Sequence, residues 1–363
     1  MLRYAEGSGY GFASAFHIPT YLFLALVATM FLGLTNSADD IIRDRTILQR
    51  ERNLNIRLPY YIISKFLALS SFAIVQSALF LAIGNAILEI RGLFWIDLWF
   101  TSTTAIAGVA GGLLISSLVN DAKTAANIVP LVLIPQIILG GALIKYEEMN
   151  RNLDFLYVLT RDQAAKNGEQ VSGQKKPHDV EVPLICQFIP MRWSYEAMVD
   201  AQAKLNPYTR RQDILTSQIE NLAKQKDLNQ QQADRLDDLK ETLAILSGLG
   251  GKDASQINQR LHEIDRIIHG APLDRSKLVS GQDQITAEEL FQNRKIADML
   301  TDAQMKQKDY TIQPRNVFFG PEKHYWGWKT SIFTFNSIVI NAFTVICLSC
   351  VLWSLHRQLR LNR

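Results

Sequence analysis

The residue spacings that carry the common catalytic chemistries do not occur in this chain. There is no G-x-x-x-x-G-K-[ST] run, the backbone cradle and lysine that hold nucleotide phosphates. Six histidines are scattered without H-E-x-x-H spacing, and no G-x-S-x-G elbow occurs. Cys186, Cys347 and Cys350 offer neither a metal-ligand spacing nor a disulfide framework. Cys186 reads as a free thiol that would bridge two copies of the chain only in an oxidising compartment. The nearest thing to a catalytic pair is Asp39-Asp40, which a membrane-embedded transferase would need at the membrane surface; it is a poor third reading. The chain is expected to be no enzyme and to hold no metal or cofactor of its own.

The polar side chains that do invite a functional reading lie in apolar surroundings. Gln76, Asn85, Asn127, Gln136, Asn336 and Asn341 are amides in otherwise apolar stretches, where an unpaired amide is costly. Interhelical hydrogen bonding is one account; the other makes Asn127, Gln136 or Asn336 the lining of a pathway for an amphipathic substrate. Gly108 and Gly112 stand at G-x-x-x-G spacing, which lets helices approach closely. Pro130 and Pro135 precede Leu139-Gly140-Gly141, so that helix should be kinked or broken near its outer end and is a candidate gate.

These groups must be carried by membrane helices. Gly7–Ala38, Phe66–Leu88, Leu98–Asn120, Thr124–Ile144 and Thr330–His356 each run without Asp, Glu, Lys or Arg. Each reaches the ~20 residues needed to span ~30 Å of hydrocarbon at ~1.5 Å per residue. The fold expected is all-α, with spans at about 16–37, 66–88, 98–120, 124–144 and 330–356, and with no charged residue inside them. Residues 1–144 form the membrane domain's first four spans, 145–329 a polar extracytoplasmic segment, and 330–363 the last span and tail. The first window is too long for a cleaved signal.

Charge asymmetry orients the chain. Arg43, Arg45, Arg50, Arg52, Arg57 and Lys65 crowd the loop between the first two windows and place it in the cytoplasm. Alternation then puts the C-terminal tail, with Arg357, Arg360 and Arg363, inside as well. Trp95, Trp99, Trp326 and Trp328 fall where interfacial aromatics belong. A net charge of +3 from 38 basic and 35 acidic residues, without a basic stripe interleaved with aromatics, argues against a nucleic-acid partner. The partner is the lipid bilayer of a plasma or inner membrane.

Outside the spans, Ile41, Ile42, Ile47, Leu48 and Leu54 make an apolar stripe on a charged helix over about 39–57, which suits the inner membrane surface. Pro59 is expected to end it. Leu236, Leu239, Leu243 and Leu246, then Ile257, Leu261, Ile264 and Ile268, recur at threes and fours, a helical hairpin over about 209–270 turning at Gly248–Gly251. A further helix is expected over about 287–308, and a loop over Asp162–Val182.

Three of these stretches resemble the membrane domain of ABC exporters of the G subfamily: LGLTNSADDIIRDRTILQRERNLNIRLPYYIISKFLAL (Leu32–Leu69), the span ending ILGGALI, and FIPMRWSYEAM (Phe188–Met198). The resemblance covers Phe16–Met198 and the final span. It implies that Arg50, Glu51 and Arg52, with Arg43, Asp44 and Arg45 one to two turns earlier, form a coupling helix touching an ABC ATPase domain or subunit. ATP would then sit on that partner, and two copies of the permease would pair as a homodimer around the substrate path. FIPMRWSYEAM is similar to short outer helices of such permeases, or is an ordinary interfacial Trp/Arg motif. Relative to the family, the chain starts before the second span, without the ATPase domain and first span, and carries a long insertion between Met198 and Lys329. The function expected is permease half of an exporter for a hydrophobic or amphipathic substrate. The alternative is a membrane-anchored scaffold or sensor whose outer hairpin binds a partner.

Overall fold

A computed structural model describes residues 17–51, 57–88, 93–144, 146, 149, 182–205, 207–225, 229–247, 262–273, 318, 322–325 and 328–361. In chain order the elements are α1 (His17–Ser37), α2 (Asp40–Glu51), α3 (Leu58–Leu88), α4 (Phe94–Leu118), α5 (Ala122–Leu139), α6 (Leu184–Gln187), α7 (Pro190–Lys204), α8 (Pro207–Ala223) and α9 (Gln230–Ser247). There follow α10 (262–268), β1 (Glu322–Tyr325), β2 (Trp328–Ser331) and α11 (Ile332–Leu361). Among the described residues five helices, one in each charge-free window, are long and apolar enough to cross a membrane. The fold is an all-α multi-span membrane fold. Among the described residues the strands are confined to one antiparallel hairpin, paired from Glu322↔Ser331 to Tyr325↔Trp328.

Helix boundaries depart from the charge-free windows for local reasons. Helix α3 starts at Leu58, well before Phe66, and takes in Pro59 and Lys65. Proline is tolerated in a first turn, where its missing N–H would have had no intrahelical acceptor, so Pro59 opens the span rather than closing the rod before it. Helix α4 starts at Phe94 and so includes Asp97, which is fully buried. The expectation that the spans hold no charged residue is therefore wrong: an interruption in a hydropathy window does not end a helix whose backbone bonds continue through it. Helix α5 is capped by Asp121, whose carboxylate accepts from the Thr124 N–H at 3.0 Å and from its hydroxyl at 3.2 Å. It runs through both prolines and ends at Leu139; Gly141 then takes φ +82°, a left-handed turn that suits glycine.

The chain divides into two compact units. One comprises Pro19–Gly84, Phe94–Asp200 and Leu300–Arg363. Its core gathers Ile41 from α2, Ile62 and Ala73 from α3, Ala105, Val109 and Leu113 from α4, and Val351 and Leu355 from α11. In lipid no hydrophobic force draws helices together, so close packing must do it. Helices α1 and α4 meet backbone to backbone: a Cβ added to Gly108 would lie 2.8 Å from the Met30 carbonyl, and one on Gly112 2.5 Å from the Leu34 carbonyl. A Cβ on Gly33 would strike the Ala105 carbonyl. Outward faces are apolar, as a lipid-facing surface must be, with Leu67, Phe72, Val75 and Leu79 on α3 and Val345, Ile346 and Trp353 on α11 exposed. Trp95 and Trp99 are exposed at the start of α4, and the Trp99 indole donates to the Ser337 hydroxyl at 3.0 Å.

The other unit comprises Met1–Ile18, Asn85–Leu93 and Ala201–Met299. Its core joins Leu215, Ile219 and Leu222 of α8 to Leu239, Leu243 and Leu246 of α9 and Ile264 and Ile268 of α10. Arg211 holds Asp265 in a two-pronged ion pair at 2.7 and 2.5 Å. Arg235 reaches the end of α10, donating to the Ala271 carbonyl at 2.9 Å and to that of Ile267. Helix α8 thus adds a third member to the seam of leucines and isoleucines. Ile257, Leu261, the Gly248–Gly251 turn and the helix expected over 287–308 lie outside the described residues, as does nearly all of Asp162–Val182.

Candidate functional site

The rod between the first two spans is fastened at several points. The N–H groups of Ile41 and Ile42, in the first turn of α2, donate to the Ser116 hydroxyl of α4 at 3.0 and 3.1 Å. Those are donors that a helix start leaves without intrahelical acceptors. Arg45 reaches the other orphan set, the carbonyls at the end of α4, donating to the Val119 carbonyl at 3.0 Å and to the Asn120 side chain. From α3, the Tyr61 hydroxyl donates to Asp44 at 2.9 Å, and Lys65 pairs with Asp40 at 3.2 Å and Asp44 at 2.8 Å. These pairs are partly solvated, which keeps each one modest.

The six residues assigned to coupling therefore divide. Asp44 and Arg45 face the bundle and fix the rod to it. Arg43 points out, its side chain 73% exposed while pairing with Asp39 at 2.5 Å, and Arg50 and Ile47 are exposed beside it. Glu51 is the last residue of α2; its side chain, and Arg52 altogether, lie outside the described residues.

A second cluster surrounds α7, every residue of which from Pro190 to Asp200 is buried. Arg192, Glu196 and Asp200 stand at four-residue intervals on it with no exposure at all. Lys323 of β1, equally buried, donates to Glu196 Oε1 at 2.6 Å; Arg192 lies 3.6 Å from Glu196 Oε2. Asn336 of α11 donates to the Trp193 carbonyl at 2.9 Å and to Glu196 Oε2 at 3.3 Å. The hydroxyls of Thr104 on α4 and Ser194 on α7 are 2.5 Å apart. Burial holds the Lys323 ammonium below the ordinary lysine range, against the pull of Glu196 toward the charged form. Aromatic contacts complete the surround: the Arg192 guanidinium lies 3.8 Å from the Trp193 ring centre, Trp193 packs on Phe335 of α11, and Tyr195 packs edge-on against Phe23 of α1 at 5.4 Å. Burial pushes the Tyr195 phenol up to about 12, so it stays protonated.

The proposed path residues sort around this helix. The end of α5 meets it through aromatic rings: the Tyr146 hydroxyl donates to the Leu139 carbonyl at 2.9 Å, Tyr146 packs on Phe318 at 4.8 Å, and Phe318 lies 6.5 Å from Tyr195. Gly140 and Gly141 admit those rings; a Cβ would stand 3.1 Å from Phe23 at the first and 2.6 Å from the Tyr146 hydroxyl at the second. Leu139, Gly140, Gly141 and Asn336 thus converge. Asn127 does not join them, and is exposed on α5. Gln136 is buried, with its carbonyl oxygen unbonded among the described residues. Of the other amides, Asn36 donates to Gln76 at 3.0 Å across α1 and α3, and Asn341 donates to Ser337 in its own helix. Cys186 is buried beside Tyr146 and Val182.

Sequence reasoning missed the ionic cluster. Arg192 and Glu196 were in view within FIPMRWSYEAM, but charges four apart on a helix read equally well as a solvated face. Lys323 is distant in sequence and belongs to a hairpin that no pattern announced. Asp97 lies one residue before the charge-free window Leu98–Asn120; neither of its carboxylate oxygens finds a hydrogen-bond donor among the described residues. The usable signal was an Arg–Glu pair interleaved with Trp and Tyr, a composition that favours burial of one side.

Residues 5–160 match the family model described as ABC-2 type transporter. The match takes in α1 to α5 and the α2 rod, and stops short of α7, β1 and α11. It supports an ABC-2 permease membrane domain, the transport component that sits in the bilayer and works with an ATPase partner. No curated protein and no solved structure matches the chain.

Proposed function

We propose that this chain is the permease half of an ATP-driven exporter of the G-subfamily type, moving a hydrophobic or amphipathic substrate, with ATP bound and hydrolysed on a separate ATPase domain or subunit. The observation that carries the reading is the clamped rod. Helix α2 follows α1 directly and is tied to α3 through Tyr61 and Lys65 and to the end of α4 through Ser116 and Arg45. A push on α2 is therefore delivered to three spans at once. Its outward face, Arg43, Ile47 and Arg50, offers two guanidinium groups and an apolar contact to a soluble neighbour on the cytoplasmic side. Nucleotide binding on that neighbour would bias the spans between inward- and outward-facing arrangements.

A second copy of the chain completes the path. Asn127, Leu131, Ile134 and Ile138 fall on one face of α5 and are all exposed. An amide left facing hydrocarbon is costly, and a facing α5 from a second copy would cover it. Solubilised gently from its native membrane, the tagged chain should bring down an ATPase subunit, and Arg43→Glu with Arg50→Glu should lose it while the fold persists. Glu51→Arg should separate ATP turnover from transport. Recovery of the chain with no ATPase attached would overturn the reading.

A further inference from the structure

Four formal charges sit at zero exposure around one helix: Arg192, Glu196 and Asp200 on α7, and Lys323 on β1. They balance, two positive and two negative, yet apolar side chains of the same size would hold a static core at least as well, because desolvating ions costs about what their pairing returns. Burial lowers the Lys323 pKa, with the nearby Arg192 acting in the same direction and Glu196 against them. Such a contact closes firmly when dry and separates at little cost once water reaches both ions.

Position adds to this. Helix α7 is held to α4 by Thr104 and Ser194, to α11 by Asn336 and by Trp193 against Phe335, to the hairpin by Lys323, and to α1 by Phe23 against Tyr195. Polar side-chain contacts take part on the α4, α11 and hairpin sides. The same Glu196 carboxylate receives Lys323 on one oxygen and Asn336 on the other, so one group links the hairpin, the short helix and the last span.

We infer that the Lys323–Glu196–Asn336 contact is a latch on the outer end of the transport path, holding α7 across α1, α4 and α11 when closed and releasing it when the path opens outward. The inference rests on the permease reading and names how that path is shut; nothing in the family match reaches α7 or β1.

The native cysteines test it. Cys186, fully buried, lies just ahead of α7, and Cys347 is buried within α11. In membranes, labelling by N-ethylmaleimide followed at both sites in a Cys350→Ser background reports local and global opening separately. With Lys323→Met, Cys186 should label about tenfold faster or more while Cys347 keeps its rate. Lys323→Arg, which keeps the charge, should label like the parent. The latch is overturned if Cys186 is unaffected by Lys323→Met, if both cysteines speed up together, or if Lys323→Arg behaves like Lys323→Met. Co-purification of the ATPase, which depends on α2 at the other membrane face, tells failure of the permease reading apart from failure of the latch.

Discussion

The α2 rod and the α7 cluster each carry several charges, and they use them in opposite ways. On α2, Asp40 and Asp44 pair with Lys65 of α3 at 21–30% exposure, and Arg43 stays 73% exposed. Around α7, Arg192, Glu196 and Lys323 have none. Solvated pairs cost little to make or break and leave charge for a partner; desolvated ones are nearly silent in net stability while intact and expensive once one member is gone. The first arrangement suits a docking lever and the second a closure.

That contrast can be broken from the outer side first. Glu196→Leu strands Arg192 and Lys323 without their carboxylate and should cost about 3–5 kcal/mol, read as a lower unfolding midpoint in detergent. Replacing Lys323 as well, in Lys323→Met with Glu196→Leu, should recover part of that loss. If Glu196→Leu falls no further than a change in the solvated rod, the two regions do not differ in kind. Next in size, Gly112→Val drives a side chain at the backbone of α1 and should cost roughly 1–3 kcal/mol, lowering the yield of folded chain.

On the rod the effects shrink. Tyr61→Phe removes one hydrogen bond to Asp44 and should cost about 0.5–1.5 kcal/mol. Arg50→Glu should leave the unfolding midpoint where it was and act only on recovery of the ATPase. The smallest expected effect is a pH slope. Folded Lys323 binds its proton less tightly than an exposed lysine, so between its lowered folded value and the ordinary 10.5 the unfolded chain carries the extra proton, and stability should rise with pH across that window. Lys323→Met should flatten the rise.

The spans were legible because a membrane imposes a length and makes charge rare within it, and α1 runs from His17 to Ser37. The glycines of α4 were legible too, since close approach needs small residues at four-residue spacing. Boundaries were less so: Pro59 reads as a stop until its place in a first turn is seen, and Asp97 reads as an end until α4 is found to start before it. Asn336 stands out in the sequence by its polarity alone, but its partners, the Trp193 carbonyl and Glu196, lie far off in sequence.

Hydropathy and arginine placement determined by themselves that this chain is a multi-span membrane protein with a charged rod beside its first span, because both follow from local composition and the solvent each segment must meet. Which charges stay wet and which are sealed was decided only when distant segments packed. Burial of an ion depends on the atoms that close over it, and for Glu196 those come from Lys323 on a hairpin and Asn336 on the last span.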